Sequence, residues 1–137
     1  MQLPQPKRRG DMSLEEALSQ RRSIRAYKPG SLTLEETSQL LWATQGITGD
    51  NGFRAAPSAG ATYPLETHIV VGDVAGLEPG LYRYDAAAHS LSVVKEGELR
   101  PELSKLSLDQ PSVREAAAVI VLSAVYERTT ERYGDRG

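Results

Sequence analysis

The sequence predicts an α+β domain, and three observations carry that assignment. Two amphipathic helical segments open the chain, each behind a Ser/Thr-x-x-Glu signature, Ser13 with Glu16 and Thr33 with Glu36. A segment of period two and a hairpin follow, then another helical stretch and the apolar run Val119-Ile120-Val121-Leu122. The order helix, helix, strand, hairpin, helix, strand lacks regular βαβ alternation. With 137 residues the chain suits one core rather than two.

Residues 1–12, with Pro4, Pro6 and Lys7-Arg8-Arg9, read as an extended N-terminal arm, and residues 13–137 as the domain. Leu14, Ala17 and Leu18 stand at helical spacing behind Ser13, predicting a short helix that ends near Arg21 or Arg22. Pro29-Gly30 punctuates the chain. The second helix carries Leu34, Leu40, Leu41 and Trp42 and should stop at Gly46. Residues 46–64 hold four glycines, two prolines and no period, and a connection that long in a small domain is usually functional or disordered.

Leu65, Thr67, Ile69 and Val71 then alternate with Glu66, His68 and Val70, which predicts a strand with one more polar face. Leu81–Asp85 and Leu91–Lys95 pair as a hairpin around Ala86–His89. Leu99, Leu103 and Leu106 predict a helix over Glu98–Ser107, with Pro101 acceptable in its first turn. Pro111-Ser112 opens a short helix through Glu115. The apolar strand at Ala117–Val125 should be central and buried on both faces. Tyr126–Gly137 is highly charged and reads as a solvated surface turn or helix.

Composition narrows the chemistry. Zero cysteines exclude disulfides, thiolate metal sites and a cysteine nucleophile, and two histidines leave little for a metal centre. No apolar run approaches the length of about 20 residues that spans a membrane, and a secretory signal is not recognisable at the start. Together these fit a cytoplasmic setting. Residues 1–30 carry seven Lys/Arg against three acids, while the remainder carries nine against fifteen. A local basic excess on an acidic protein fits a confined anion site better than a nucleic-acid surface.

Three clusters could carry chemistry. Arg21, Ser23 and Arg25 share one side of an extended run, where guanidinium forks and a hydroxyl suit an oxyanion. The same residues also read as a solvated basic helix end. Arg54-Ala-Ala-Pro57-Ser58-Ala59-Gly60-Ala-Thr62-Tyr63-Pro64 lets a ligand approach backbone closely, or is a plain small-residue loop. Tyr126–Gly134 is a charged segment. Neither a Ser-His-Asp arrangement nor a phosphate-binding glycine motif is present.

Taken in order, Arg-Arg-Ser-Ile-Arg-Ala-Tyr (21–27), Leu-Leu-Trp-Ala-Thr-Gln-Gly (40–46) and Arg-Ala-Ala-Pro-Ser-Ala-Gly-Ala-Thr-Tyr-Pro-Leu-Glu (54–66) resemble the nitroreductase family. Gly80–Asp85 and Val125–Thr130 bring the resemblance nearest to its SagB-type, azoline-oxidase-like branch. It implies a mixed or antiparallel sheet flanked by helices, and an FMN-dependent oxidoreductase that moves hydride through flavin N5. A homodimer, a small-molecule substrate and NAD(P)H as electron donor are implied as well. Neither nucleic acid nor membrane is an implied partner.

By that resemblance Arg21, Arg22, Ser23 and Arg25 grip the phosphate, ribityl chain and pyrimidine edge of FMN. Pro57, Ser58, Ala59 and Gly60 match the loop that reaches the flavin, commonly that of the partner subunit. Arg132 and Tyr133 match a catalytic Lys-Tyr pair, but arginine holds its proton too tightly to be a good base. The family domain continues past Tyr-Gly-x-Arg-Gly into a long helix, a glycine-rich segment and a final strand. The chain therefore corresponds to the N-terminal two-thirds of that domain, incomplete at the C-terminus. Exposed apolar patches should follow near Val119–Val125 and the Leu34/Leu40/Leu41 face. The competing expectation is an inactive fragment or interaction module.

Overall fold

Four strands, β1 (Leu65–Val71), β2 (Gly80–Asp85), β3 (Ser90–Glu96) and β4 (Ala118–Ala124), form one sheet in the order β3-β2-β1-β4. Every neighbouring pair is antiparallel. The helices are α1 (Leu14–Gln20), α2 (Leu34–Gln45), α3 (Arg100–Leu106), α4 (Pro111–Glu115) and α5 (Glu127–Tyr133). This computed structural model describes residues 1–136; Gly137, the last residue of the expected domain, lies outside the described residues.

β1 lies inside the sheet, and its C-terminal half, Ile69, Val70 and Val71, is buried on both faces. Ile69 stands opposite Tyr82 on one side and Ile120 on the other, and Thr67 opposite Tyr84 and Leu122. Ile69, Val71, Tyr82, Tyr84 and Leu91 meet Leu41 of α2 and Leu3 of the arm in a single core. At Leu41 the α2 stripe is fully buried, whereas Leu40, one step round the helix, is half-exposed. Thr33 and Glu36 complete both halves of a capping box at the start of α2. Ser13 caps α1 through the Glu16 amide, but the Glu16 carboxylate turns to Gln20 instead, so only half of that box forms.

One expectation is overturned. β4 is an edge strand, not a central one: it pairs with β1 alone, and Leu122, Ser123 and Ala124 are exposed. A continuous apolar run shows that both faces favour burial; it does not say how many neighbours supply backbone hydrogen bonds. The charged segment after it is helical as α5, and Pro101 lies in the first turn of α3.

The arm is docked at its tip. Leu3 donates its amide to the His89 carbonyl at 3.1 Å, the Leu91 amide donates to the Met1 carbonyl at 2.8 Å, and Leu3 is buried. Ser38, fully buried on α2, donates to the Pro4 carbonyl at 2.6 Å. His89 links this corner together, with Nε2 2.8 Å from Ser38 Oγ and 2.9 Å from the Pro4 carbonyl, and Nδ1 2.9 Å from the Tyr84 hydroxyl. Burial pushes the Tyr84 phenol up to about 12, so this hydroxyl stays neutral. Beyond the docked tip the chain has little support, and every residue from Lys7 to Ser31 is exposed.

Candidate functional site

The loop before β1 holds three residues in left-handed backbone. They are Gly60 (φ 57°), Ala61 (φ 55°) and Tyr63 (φ 44°), and the conformation is costly for the two non-glycine residues. Such a conformation persists only where its surroundings hold it. Here Ser58 Oγ accepts from the Tyr63 amide at 2.9 Å, and the Tyr63 hydroxyl accepts from the Arg54 amide at 3.2 Å. The Arg54 guanidinium lies 4.6 Å from the centre of the Tyr63 ring, in cation–π range.

α5 supplies the remaining clamps. Arg132 Nη1 donates to the Gly60 carbonyl at 2.7 Å, Arg128 Nη1 to the Tyr63 carbonyl at 3.0 Å, and the hydroxyls of Thr62 and Thr129 lie 3.2 Å apart. Tyr133 sits over Gly60 so closely that a Cβ there would press into its hydroxyl. The expected catalytic residues Arg132 and Tyr133 therefore meet Gly60 of the expected flavin loop. With Nη1 engaged on the Gly60 carbonyl, Arg132 is placed to shape the loop.

The other expected ligand segment is not brought to this place. Arg21, Arg22, Ser23 and Arg25 follow α1 in extended, exposed chain. Arg22 bends back to the carbonyls of Ser19 and Arg21, while the side chains of Arg21 and Arg25 make no hydrogen bond or ion pair among the described residues. Arg25 borders a depression with Gln110, Pro111 and Ser112, whereas Pro57, Ser58 and Ala59 border one with Gln45 and Thr129. Among the described residues no hydrogen bond or ion pair joins the two segments, and they border different depressions.

A cleft of about 440 Å³ opens beside the loop, where the C-terminal end of α2 meets β1 and β2. Its polar groups include Gln45, Arg54, Glu66, Thr67, Arg83 and Arg128. Glu66 bridges Arg83, at 2.7 Å, and Arg128. Burial on its own would raise the Glu66 carboxyl, but the bonds from Arg128 and Arg83 outweigh it and hold the group below the usual carboxylate range. Thr67 Oγ1, in a residue 3% exposed, has no hydrogen-bond partner among the described residues.

Sequence reasoning missed the roles of Gln45, Thr67, Arg128 and Thr129. Arg128 and Thr129 fall on the segment whose charge pattern suggested only a solvated surface, and pairing across some 65 positions of chain leaves no local signal. Among the described residues, no cluster of His, Asp or Glu side chains could hold a metal ion, and no helix is long and apolar enough to cross a membrane.

Comparison with known proteins agrees with this architecture. A model of the nitroreductase family matches residues 18–137. A Methanocaldococcus jannaschii protein named as a candidate nitroreductase is 45% identical over 127 residues, which is 93% of this chain and 64% of that protein. The trifolitoxin-processing protein TfxB of Rhizobium leguminosarum bv. trifolii is 36% identical over 74 residues, 53% of this chain and 17% of its own. The crystal structure of a candidate nitroreductase from Anabaena variabilis superposes with a TM-score of 0.75 at 36% identity, over 90% of this chain and 26% of that one. The chain thus spans less than two-thirds of each of these relatives.

Proposed function

Because the chain belongs to the nitroreductase family, we propose that it acts as an FMN-dependent oxidoreductase whose flavin site is completed by a second copy of the chain. The observation that carries this reading is the separation of the two ligand segments. Arg21, Ser23 and Arg25 present cations and a hydroxyl whose side chains make no hydrogen bond or ion pair among the described residues, on a stretch where Leu14, Leu18 and Ile24 are all more than 60% exposed. Pro57–Gly60 presents a loop held rigid from behind by α5. Each is half of a cradle, and a two-fold related pair of chains would bring a half from each copy together, twice.

The residues fit the cofactor. The free forks of Arg21 and Arg25 suit a phosphate or a developing negative charge. The amides of Ala59 and Gly60 make no hydrogen bond among the described residues, which leaves backbone donors for the polar edge of a flat ring. Bound FMN would supply the hydride-accepting centre between a pyridine nucleotide and a small organic acceptor. Arg21, Arg22, Ser23 and Arg25 would anchor and polarise; Pro57, Ser58, Ala59 and Gly60 would set the ring plane; Arg132 would hold the loop. Tyr133, beside Gly60 and partly exposed, would present a hydroxyl to a bound substrate.

A titration of FMN into the protein, followed by quenching of flavin fluorescence, tests this reading. Saturable quenching with NAD(P)H-dependent flavin bleaching is expected. Arg21→Ala combined with Arg25→Ala should weaken binding by about 1.5–3 kcal/mol for each charge-assisted bond lost. Full-strength binding by that double variant would reject the role given to the basic segment.

A further inference from the structure

The cleft beside the loop has a donor set of its own, separate from the residues assigned to flavin. Three guanidinium groups border it, and two of them, Arg83 and Arg128, share the single carboxylate of Glu66. Arg54 has no carboxylate within 4.0 Å among the described residues. A single donor hydrogen of its fork is engaged, Nη1 to Gln45 Oε1 at 3.3 Å, and its Cζ lies 4.6 Å from the centre of the Tyr63 ring. Gln45 is 4% exposed, accepts from Arg54 and leaves its own amide nitrogen without a protein partner among the described residues. The orphaned Thr67 hydroxyl belongs to the same wall. The remaining carboxylate, Asp85, is occupied by the amides of Ala87 and Ala88 in its own turn.

We propose that this cleft binds a small monocarboxylate with an apolar body, its carboxylate held by the Arg54 fork beside Gln45 and Thr67. A planar fork with unpaired donors matches a carboxylate edge to edge. Charge selects a monoanion: Arg54, Arg83 and Arg128 stand against Glu66 and Asp85, leaving one positive charge for the ligand to balance. A dianion such as a phosphate would face an excess of negative charge. Leu65, Ala86 and Ala87 line the rest of the cleft and suit a short aliphatic chain or one aromatic ring. This assignment does not depend on flavin binding.

Calorimetric titration with benzoate, benzamide and phenylphosphonate, in the absence of flavin, tests it. Benzoate should bind saturably at one site, and neutral benzamide at least about tenfold more weakly, the loss expected for one charge-assisted contact. Phenylphosphonate should bind no more tightly than benzoate. Gln45→Glu places a carboxylate of nearly the same shape against Arg54, so it should leave the protein folded and weaken benzoate at least about tenfold. Arg54→Gln provides the same reading if the first variant does not fold. Benzoate binding unchanged in either folded variant, equal binding of benzamide, tighter binding of phenylphosphonate, or no saturable benzoate binding would overturn the proposal.

Discussion

Replacing Gly60 by alanine tests how the loop before β1 is held. Gly60 has φ 57° and ψ 19°, a left-handed conformation that costs an L-residue about 1–2 kcal/mol. Alanine also stiffens the unfolded chain, which offsets roughly 0.4–1 kcal/mol of that loss. The net backbone effect is a destabilisation of about 1 kcal/mol. Contact adds to it, because the new Cβ would meet the Tyr133 hydroxyl and lie 2.8 Å from Arg132 Nη1. Both are ends of side chains that can swing aside, so the contact should act mainly by prising α5 from the loop. Thermal unfolding followed by circular dichroism should show a fall of about 3–6 °C. Repeating Gly60→Ala in a Tyr133→Phe background removes the closest clash, so the cost should shrink there by a measurable fraction of a kcal/mol, on the order of 0.5. An unchanged melting temperature for Gly60→Ala, or strictly additive effects with Tyr133→Phe, would refute the described packing of α5 on the loop.

Two further outcomes follow from the polar contacts. The Glu66 carboxyl is depressed below its ordinary value of 4.5 because the bonds from Arg128 and Arg83 overcome its burial. Its stabilisation is therefore complete above pH 4.5 and is lost as pH falls below that value through the folded-state value. Glu98, depressed by Arg100, adds to the same acid-side loss, so Glu66→Gln should flatten the decline in denaturant stability below pH 4.5 without abolishing it. A decline as steep as in the parent chain would contradict the role of the Arg83–Glu66–Arg128 bridge. Ser38→Ala removes one of two hydrogen bonds at the Pro4 carbonyl, leaving His89 Nε2 as its remaining partner, and should cost about 0.5–1.5 kcal/mol, read by urea denaturation. Less than about 0.5 kcal/mol would mean that the arm is not held there.

Much of the fold was legible because its signals are local. Thr33 and Glu36 announce α2, the alternation from Leu65 to Val71 announces β1, and Pro101 marks the first turn of α3. The position of β4 was not legible, since apolar content at 119–122 reports a preference for burial and not the number of paired neighbours. His89 looked like an ordinary turn residue, yet it joins Ser38 and Pro4, from distant parts of the chain, to Tyr84 of its own hairpin. The two segments proposed for the flavin stand out in sequence because small residues and arginines cluster there. Their separation in space does not, nor does the clamp on Gly60 from a helix whose charge pattern suggested a free surface.

The measurement closest to the central claim is complementation between two impaired chains. One carries Arg21→Ala with Arg25→Ala, the other Ser58→Ala with Gly60→Ala, and neither alone should retain full FMN affinity. If each flavin site joins the basic segment of one copy to the loop of another, a mixed dimer holds one site with no altered residue and one with all of them. Equal mixing should then restore tight FMN binding at about a quarter of all sites, because about half of the dimers are mixed. Restoration at that level supports a site shared between two chains. No recovery, from two folded variants that each lose FMN separately, would contradict it.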